Sequence, residues 1–186
     1  MKKKLMAGIG LGLVAGLSAV IAAEGVKSNP GAVLSNSSAG TSEKVEAIQT
    51  YVGEVEKSLS SYTRKEEALS ADQMKAVTDE SWKKIHGYFD GDTLRRMKLY
   101  PVTGSEKTEE FYFFENKPVF VFVEEKGSGK DGHDTNAVGS KYYFVDDKLI
   151  AAMTPEGKQM DLASADAGKM GAKLQKESQA FRNILK

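Results

Sequence analysis

The chain offers few residues of the types that usually perform catalysis or bind metals. It has no cysteine and two histidines, His86 and His133, so thiol catalysis and Cys-ligated metal sites are excluded. A serine hydrolase triad would have to be built on one of these histidines, and no G-x-S-x-G elbow occurs. The sequence therefore predicts no enzyme, with no catalytic residue, no cofactor and no metal site.

A polar segment, 126–140, holds two weaker candidates. Gly127-Ser128-Gly129-Lys130 is glycine-rich like a phosphate loop, but it lacks the required spacing and the following Ser or Thr. Residues 131–136 read DGHDTN and offer carboxylates and an imidazole to a surface cation such as Ca²⁺. Because this spacing matches no EF-hand, we favour a solvated loop whose Gly, Asp and Asn supply turn geometry.

Charged and aromatic side chains on the predicted strands are the remaining candidates. Trp82 and several tyrosines could line a groove for a sugar or peptide, although aromatics at these spacings are more typical of a core. Glu109 and Glu124 could form a hydrolytic carboxylate pair. Five basic residues could form a patch for an anionic partner, or simply a solvated strand face: Lys83, Lys84, Arg95, Arg96 and Lys98.

The stretch from Glu109 to Glu125 would position several of these residues. It reads EEFYFFENKPVFVFVEE, and two apolar runs around a turn at Glu115-Asn116-Lys117 predict a β-hairpin. Both faces of this hairpin are apolar, so each face must be covered. The cover could be the two long helices, strong coiling of the sheet around its own aromatics, a ligand or a partner.

Two further hairpins resemble this one. Asp90-Gly91 and Asp146-Asp147 mark their turns, and residues 86–95, 110–119 and 141–150 align as Tyr-Phe, polar turn, apolar strand. These hairpins predict an antiparallel meander of about six strands. In the strand Thr93 to Tyr100, alternation places Arg95 with Met97 and Leu99 on one face. Duplication and the general make-up of hairpin-rich sheets explain the similarity equally well.

Helical patterns flank the sheet. Apolar residues at spacings of three and four from Val45 to Tyr62 predict a long amphipathic helix, capped by Thr41 or Ser42. We favour packing across the sheet over a coiled coil, because the heptads are not sustained. A short helix or an irregular crossover is expected in 69–79. A C-terminal helix starts at Ser164 and is expected to be firm from about Ala172, since Gly168 and Gly171 weaken its first turns.

The first 23 residues have the pattern of a secretory signal peptide. Lys2, Lys3 and Lys4 precede an apolar run that ends in small residues, and a retained membrane anchor is the alternative. A flexible linker (24–40) and a single domain (41–186) would follow. Basic and acidic residues number 26 each in the whole chain, so cleavage leaves a mildly acidic protein without the basic footprint of a nucleic-acid binder. The predicted location is periplasmic or secreted.

The YYFVDDKLI hairpin and the EEFYFF strand resemble those of small exported bacterial proteins of unknown function, whose sheets repeat a unit of the form YYF, turn, K-L-I. The resemblance covers about Lys84 to Met153 and implies a helix-then-meander order. The chain is also distantly similar to MORN-type hairpin repeats, but it lacks their regular glycines. Neither resemblance implies catalytic residues.

The sequence thus predicts an α+β domain with a long N-terminal helix, an antiparallel β-meander and a C-terminal amphipathic helix. The predicted function is a non-enzymatic binding module of the cell envelope whose partner is a protein or a small molecule, and a homodimer is compatible with the pattern. One alternative is a carrier that holds a small apolar ligand between helix and sheet. The other is a hydrolase that uses the carboxylate pair.

Overall fold

The computed structural model describes residues 29–75, 77–102, 107–125 and 139–186. Its elements, in chain order, are α1 (Pro30–Leu34), α2 (Thr41–Ser58), β1 (Thr63–Ala68), α3 (Ala71–Lys75), β2 (Trp82–Asp90), β3 (Thr93–Pro101), β4 (Lys107–Phe114), β5 (Lys117–Glu125), β6 (Gly139–Val145), β7 (Lys148–Met153) and α4 (Ala165–Ile184). The predicted signal peptide, 1–23, and the two loop candidates in 127–136 lie outside the described residues. Within the described ranges, no helix is both long and apolar enough to cross a bilayer.

The strands form one seven-stranded antiparallel meander in the order β1 to β7, so the predicted sheet type is confirmed and the count of about six strands is one too low. The strand that the sequence pattern missed is β1, which reads TRKEEA and is exposed along its whole length. It pairs with β2 from Thr63↔Phe89 to Ala68↔Lys84. Without a large apolar residue β1 carries no period-two signal, and its strand state comes from hydrogen bonding to β2.

The three hairpins share one register and one β-bulge. In each hairpin the register shifts by one residue directly after a cross-strand pair that contains a tyrosine. These pairs are Tyr88↔Arg96, Tyr112↔Phe120 and Tyr143↔Ala151. The extra residue on the second strand is Arg95, Val119 or Ile150, which is the same position of the aligned segments. Because of this bulge, the expected placement of Arg95 on one face with Met97 and Leu99 is wrong. Arg95 lies on the α2 side with Arg96, and Leu94 joins Met97 and Leu99 in the core on the opposite side.

The turns of these hairpins are two residues long. Glu115 and Asn116 have φ of 49° and 63°, and Asp146 and Asp147 have φ of 48° and 60°, which is the left-handed pattern of a type I′ turn. In the first hairpin Asp90 pairs with Thr93. Its turn is therefore Gly91-Asp92, one residue later than predicted, and Gly91 supplies the positive φ of 59°.

Two helices cover the two faces of the sheet, so the central hairpin is sandwiched between them. The core on the α2 side includes Ile48, Val55, Tyr112, Phe120 and Tyr143. The core on the α4 side is larger and includes these buried side chains: Trp82, Ile85, Met97, Leu99, Phe111, Phe113, Val121, Phe144, Leu174 and Phe181. Packing of α2 across the sheet, which we favoured over a coiled coil, is what the structure has.

The helix ends differ in detail from the expected ones. Gly40 is the N-cap of α2, in place of Thr41 or Ser42, and its N–H donates to the Glu43 carboxylate at 3.1 Å. Ser164 caps α4 as predicted, but the helix is already regular from Ala165 and includes both Gly168 and Gly171. Gly171 packs closely against Leu149. The expected linker, 24–40, contains α1, and Leu34 of α1 is buried against the α2-side core.

Candidate functional site

A ladder of cross-strand pairs runs over the whole sheet on the α2 side. Its residues are paired in one continuous line: Arg64, Tyr88, Arg96, Tyr112, Phe120, Tyr143 and Ala151. The three tyrosines occupy the equivalent position of the three hairpins. The Arg96 guanidinium lies 5.3 Å from the Tyr88 ring centre and 5.8 Å from that of Tyr112. Cation–π and aromatic contacts therefore link neighbouring strands through this ladder.

Beside the ladder, part of the same face of the sheet is not filled by helix side chains. The main strand contacts of α2 are with β5, β6 and β7, whereas four side chains on β1, β2 and β3 remain half-exposed or exposed. We call this group the open face, and it consists of Glu66, Lys84, Lys98 and Tyr100. Strand pairing brings these residues together, since Lys84 on β2 is opposite Ala68 on β1 and opposite Tyr100 on β3.

Tyr100 is the centre of the open face. Its ring centre is 5.2 Å from the Lys84 ammonium and 5.5 Å from the Lys98 ammonium. The His86 ring lies beneath at 4.5 Å, and its Nε2 is 2.7 Å from Glu66 Oε2. Burial lowers the pKa of His86, and the Glu66 carboxylate opposes this shift only in part. The imidazole is therefore neutral at pH 7 and acts as packing for the tyrosine.

Each cation of this surface has a carboxylate partner. Lys84 Nζ is 3.3 Å from Glu66, and Glu110 accepts from both Lys98 and Arg96 at 2.5 Å. The predicted basic patch is thus assembled only in part, and it is neutralised. Of the other residues named for it, Arg95 lies by the first turn with Asp90, at 2.9 Å, and Lys83 is exposed at the irregular start of β2.

A second charged group lies on the opposite face, under α4. We call it the carboxylate cluster, and it consists of Glu80, Lys107, Glu109, Lys173 and Glu177. Glu109 and Glu177 have no exposed surface, and Lys173 Nζ lies 3.2 Å from each of them. Lys107 Nζ is 3.3 Å from Glu109 and 2.7 Å from Glu80. Burial and the neighbouring Glu109 carboxylate raise the pKa of Glu177 to about 7.

A cavity of about 570 Å³ between α3 and α4 opens beside this cluster. Thr78 and Lys173 line it, and both also face the Glu177 carboxylate. The cavity therefore lies next to two residues that contact the buried acid, although Glu177 itself has no exposed surface. Within the described part of the chain, no group of three or more His, Asp or Glu side chains is arranged to hold a metal ion.

The predicted carboxylate pair is not formed. Glu124 accepts from the Thr108 hydroxyl at 2.9 Å. Since Thr108 and Glu109 are consecutive in β4, their side chains point to opposite faces of the sheet. Glu109 has Glu177 as its acidic neighbour instead. Trp82, suggested for a groove, is buried in the α4-side core.

Glu177 and Lys173 were not identified from the sequence, although a signal for Glu177 was present. The apolar stripe of α4 contains Met170, Leu174 and Phe181 at helical spacing, and Glu177 occupies the intervening core position. A charged residue at a core position of an amphipathic helix requires a partner inside the fold. The identity of that partner, on β4, depends on sheet register and could not be read from the helix.

No protein-family model matches the chain, and neither the curated proteins nor the solved structures that were searched include a match.

Proposed function

We propose that this protein is a non-enzymatic binding module that is exported to the periplasm or secreted, and that it contacts a protein partner through the open face. The observation that carries the proposal is the contrast between the two sides of β1–β3. On the α4 side these strands bury Ile85, Met97 and Leu99 completely, whereas on the other side Tyr100 and the two lysines beside it stay accessible.

The chemistry of the open face supports a protein as the partner. A tyrosine with an apolar ring and a polar tip, surrounded by paired charges, is typical of protein interfaces, where aromatic anchors sit within a polar rim. The cations are balanced by Glu66 and Glu110. A nucleic acid or an anionic bilayer would require an excess of positive charge that this face does not offer.

The two alternative functions have less support. A carrier would need space between a helix and the sheet, but the described layers meet through closely packed side chains such as Phe111, Phe113 and Phe181. A hydrolase would need an accessible carboxylate pair, whereas Glu109 and Glu177 are fully buried and Glu124 lies on the other face. Export rests on the N-terminal pattern of 1–23, and an uncleaved segment would anchor the module in the membrane.

The test of this proposal is capture of partners from envelope extract by the immobilised protein. We expect the Tyr100→Ala variant to bind a captured partner about 30-fold more weakly than the wild type, since a central interface tyrosine contributes about 2 kcal/mol. Lys148→Ala, at an exposed position of β7, is the matched surface control and should bind as the wild type does. Equal capture by Tyr100→Ala and the wild type would exclude the open face as the contact surface.

A further inference from the structure

The carboxylate cluster carries more acid than base. Glu80, Glu109 and Glu177 face two ammonium groups, those of Lys107 and Lys173. With every group ionised, one negative charge would remain uncompensated beside two carboxylates that have no exposed surface. Burying an unpaired charge is costly, and a buried carboxyl avoids the cost by taking up a proton.

The hydrogen-bond geometry of the cluster points to where that proton belongs. Both lysines contact the same oxygen of Glu109, Oε1, and Lys173 contacts Oε1 of Glu177. Glu109 Oε2 and both oxygens of Glu177 are buried without a well-formed hydrogen bond from the described residues, and the Thr78 hydroxyl is the neutral donor that faces the Glu177 carboxylate. A protonated carboxyl is a donor, so one proton between the two glutamates supplies the missing hydrogen bond and removes the excess charge together.

We propose that Glu109 and Glu177 form a single proton-binding site that holds α4 on the sheet. Glu177 lies on α4 between Leu174 and Phe181, whose side chains are completely buried in the α4-side core. When the proton leaves, two carboxylates repel each other across the interface between α4 and β4. Deprotonation therefore loosens α4, and Thr78 and Lys173 line the cavity through which the proton exchanges with solvent.

The sign of the pH dependence follows from the groups that face Glu177. These are Glu109 from β4, Thr78 from the connection between α3 and β2, and Lys173 from α4 itself. Lys107 and Glu80 belong to the cluster through their contacts with Glu109 and Lys173. Burial, together with Glu109, raises the pKa of Glu177 from 4.5 to about 7. Between these values Glu177 binds a proton in the folded chain but not in the unfolded chain, so the contribution of this site to stability is largest below pH 4.5 and is lost as pH rises to about 7.

His86 contributes with the opposite sign in part of this range. Its pKa is lowered by burial, so its contribution is present above its unfolded pKa and is lost as pH falls through the lower folded value. It lies on the α2 side, away from the cluster. Comparing the wild type with a Glu177 variant at each pH cancels this contribution. The proposed site is also independent of the open face and of any partner bound there.

The first test is urea unfolding of the full chain from pH 4.5 to 8. We expect the stability of the wild type, measured relative to Glu177→Gln, to fall with pH, with a slope that corresponds to about one extra proton in the folded state midway through the window. Glu177→Gln keeps the shape of the side chain but cannot titrate, so it retains the contribution of His86 and loses that of the proton site. Glu54→Gln, on the exposed side of α2, should follow the wild type. Parallel curves for the wild type and Glu177→Gln would overturn the proposal.

A second measurement needs no variant to fold. Carbon NMR of the glutamate carboxyl groups in the wild type should show one resonance that titrates near pH 7, well above the usual glutamate value of about 4.2. Amide exchange at Leu174 and Phe181, corrected for its intrinsic pH dependence, should be faster at pH 8 than at pH 6. If all glutamates titrate below about pH 5, the shared proton does not exist.

Discussion

Glu109 and Glu110 are neighbours in β4, yet they belong to two charged groups of opposite character. Glu110 points to the α2 side and accepts from Arg96 and Lys98, each at 2.5 Å. Burial alone would raise the pKa of Glu110, but the two cations lower it below its ordinary value. Glu109 points to the α4 side, where it shares Lys173 with a second buried glutamate whose pKa is raised to about 7.

The difference shows that burial does not by itself decide the state of an acid in this fold. Both glutamates are in the middle of the same sheet and both contact two cations. Glu110 shares one of its cations, Arg96, with Glu56, which is partly exposed and can be solvated. Glu109 shares Lys173 with the completely buried Glu177, which water cannot stabilise. Whether a buried acid stays ionised or binds a proton therefore depends on how many buried acids share each buried base.

Removing the shared lysine should break this contrast most strongly. Lys173→Met leaves Glu177 without a cation and Glu109 with Lys107 alone, and we expect a loss of about 3 kcal/mol in unfolding free energy at pH 8. At pH 5 the loss should be smaller, because Glu177 can then be neutralised by a proton. Urea unfolding at both pH values measures the difference.

The matched control for this variant is Lys169→Met, one turn earlier on α4, at an exposed position. It removes the same charge from the same helix without touching the cluster, and should change stability by less than about 0.5 kcal/mol. A similar loss for both lysines, or a loss at Lys173 that does not depend on pH, would mean that the carboxylate cluster has no special role.

On the α2 side, the corresponding change is Arg96→Met. It removes one cation from Glu110 and both ring contacts of the guanidinium. We expect a loss of about 2 kcal/mol, less than at Lys173, because Lys98 remains beside Glu110. Arg96→Lys keeps the charge but not the planar stacking, and should recover part of the loss. The effect should be nearly constant from pH 6 to 8, in contrast to Lys173→Met.

The elements of the fold could be predicted where side-chain patterns carry the information. The apolar runs of β4 and β5 and the Asp146-Asp147 turn specify local structure directly. The strand β1 could not be found, since its charged residues alternate with no apolar face. The face of Arg95 could not be found either, because a bulge reverses the alternation and is set by pairing with β2.

The site residues depend on contacts between elements that are distant in sequence. The sequence identifies Glu109 as a candidate acid, but its partner Glu177 is on another element, α4, whereas the sequence suggests Glu124, which is nearer along the chain. Lys84, Arg96 and Lys98 were recognised as basic, but their neutralisation by Glu66, Glu56 and Glu110 is a product of strand register and helix docking. Sequence patterns report the periodicity of one element, whereas charge pairing here is set across several.

The smallest predicted loss of stability is the one expected on removing the hydroxyl of Tyr112 or of Tyr143, which occupy equivalent positions of two hairpins. The hydroxyl of Tyr112 donates to the Glu56 carboxylate at 2.8 Å, whereas that of Tyr143 accepts from the Gln49 amide at 3.0 Å. Because hydrogen bonds to charged groups are the stronger ones and Glu56 is partly solvated, Tyr112→Phe should cost about 1 kcal/mol and Tyr143→Phe about 0.5 kcal/mol. Thermal unfolding of both variants tests the order. Equal losses would indicate that the charge of Glu56 adds nothing to the hydrogen bond, and no loss in either variant would indicate that the ladder is held by its ring contacts alone.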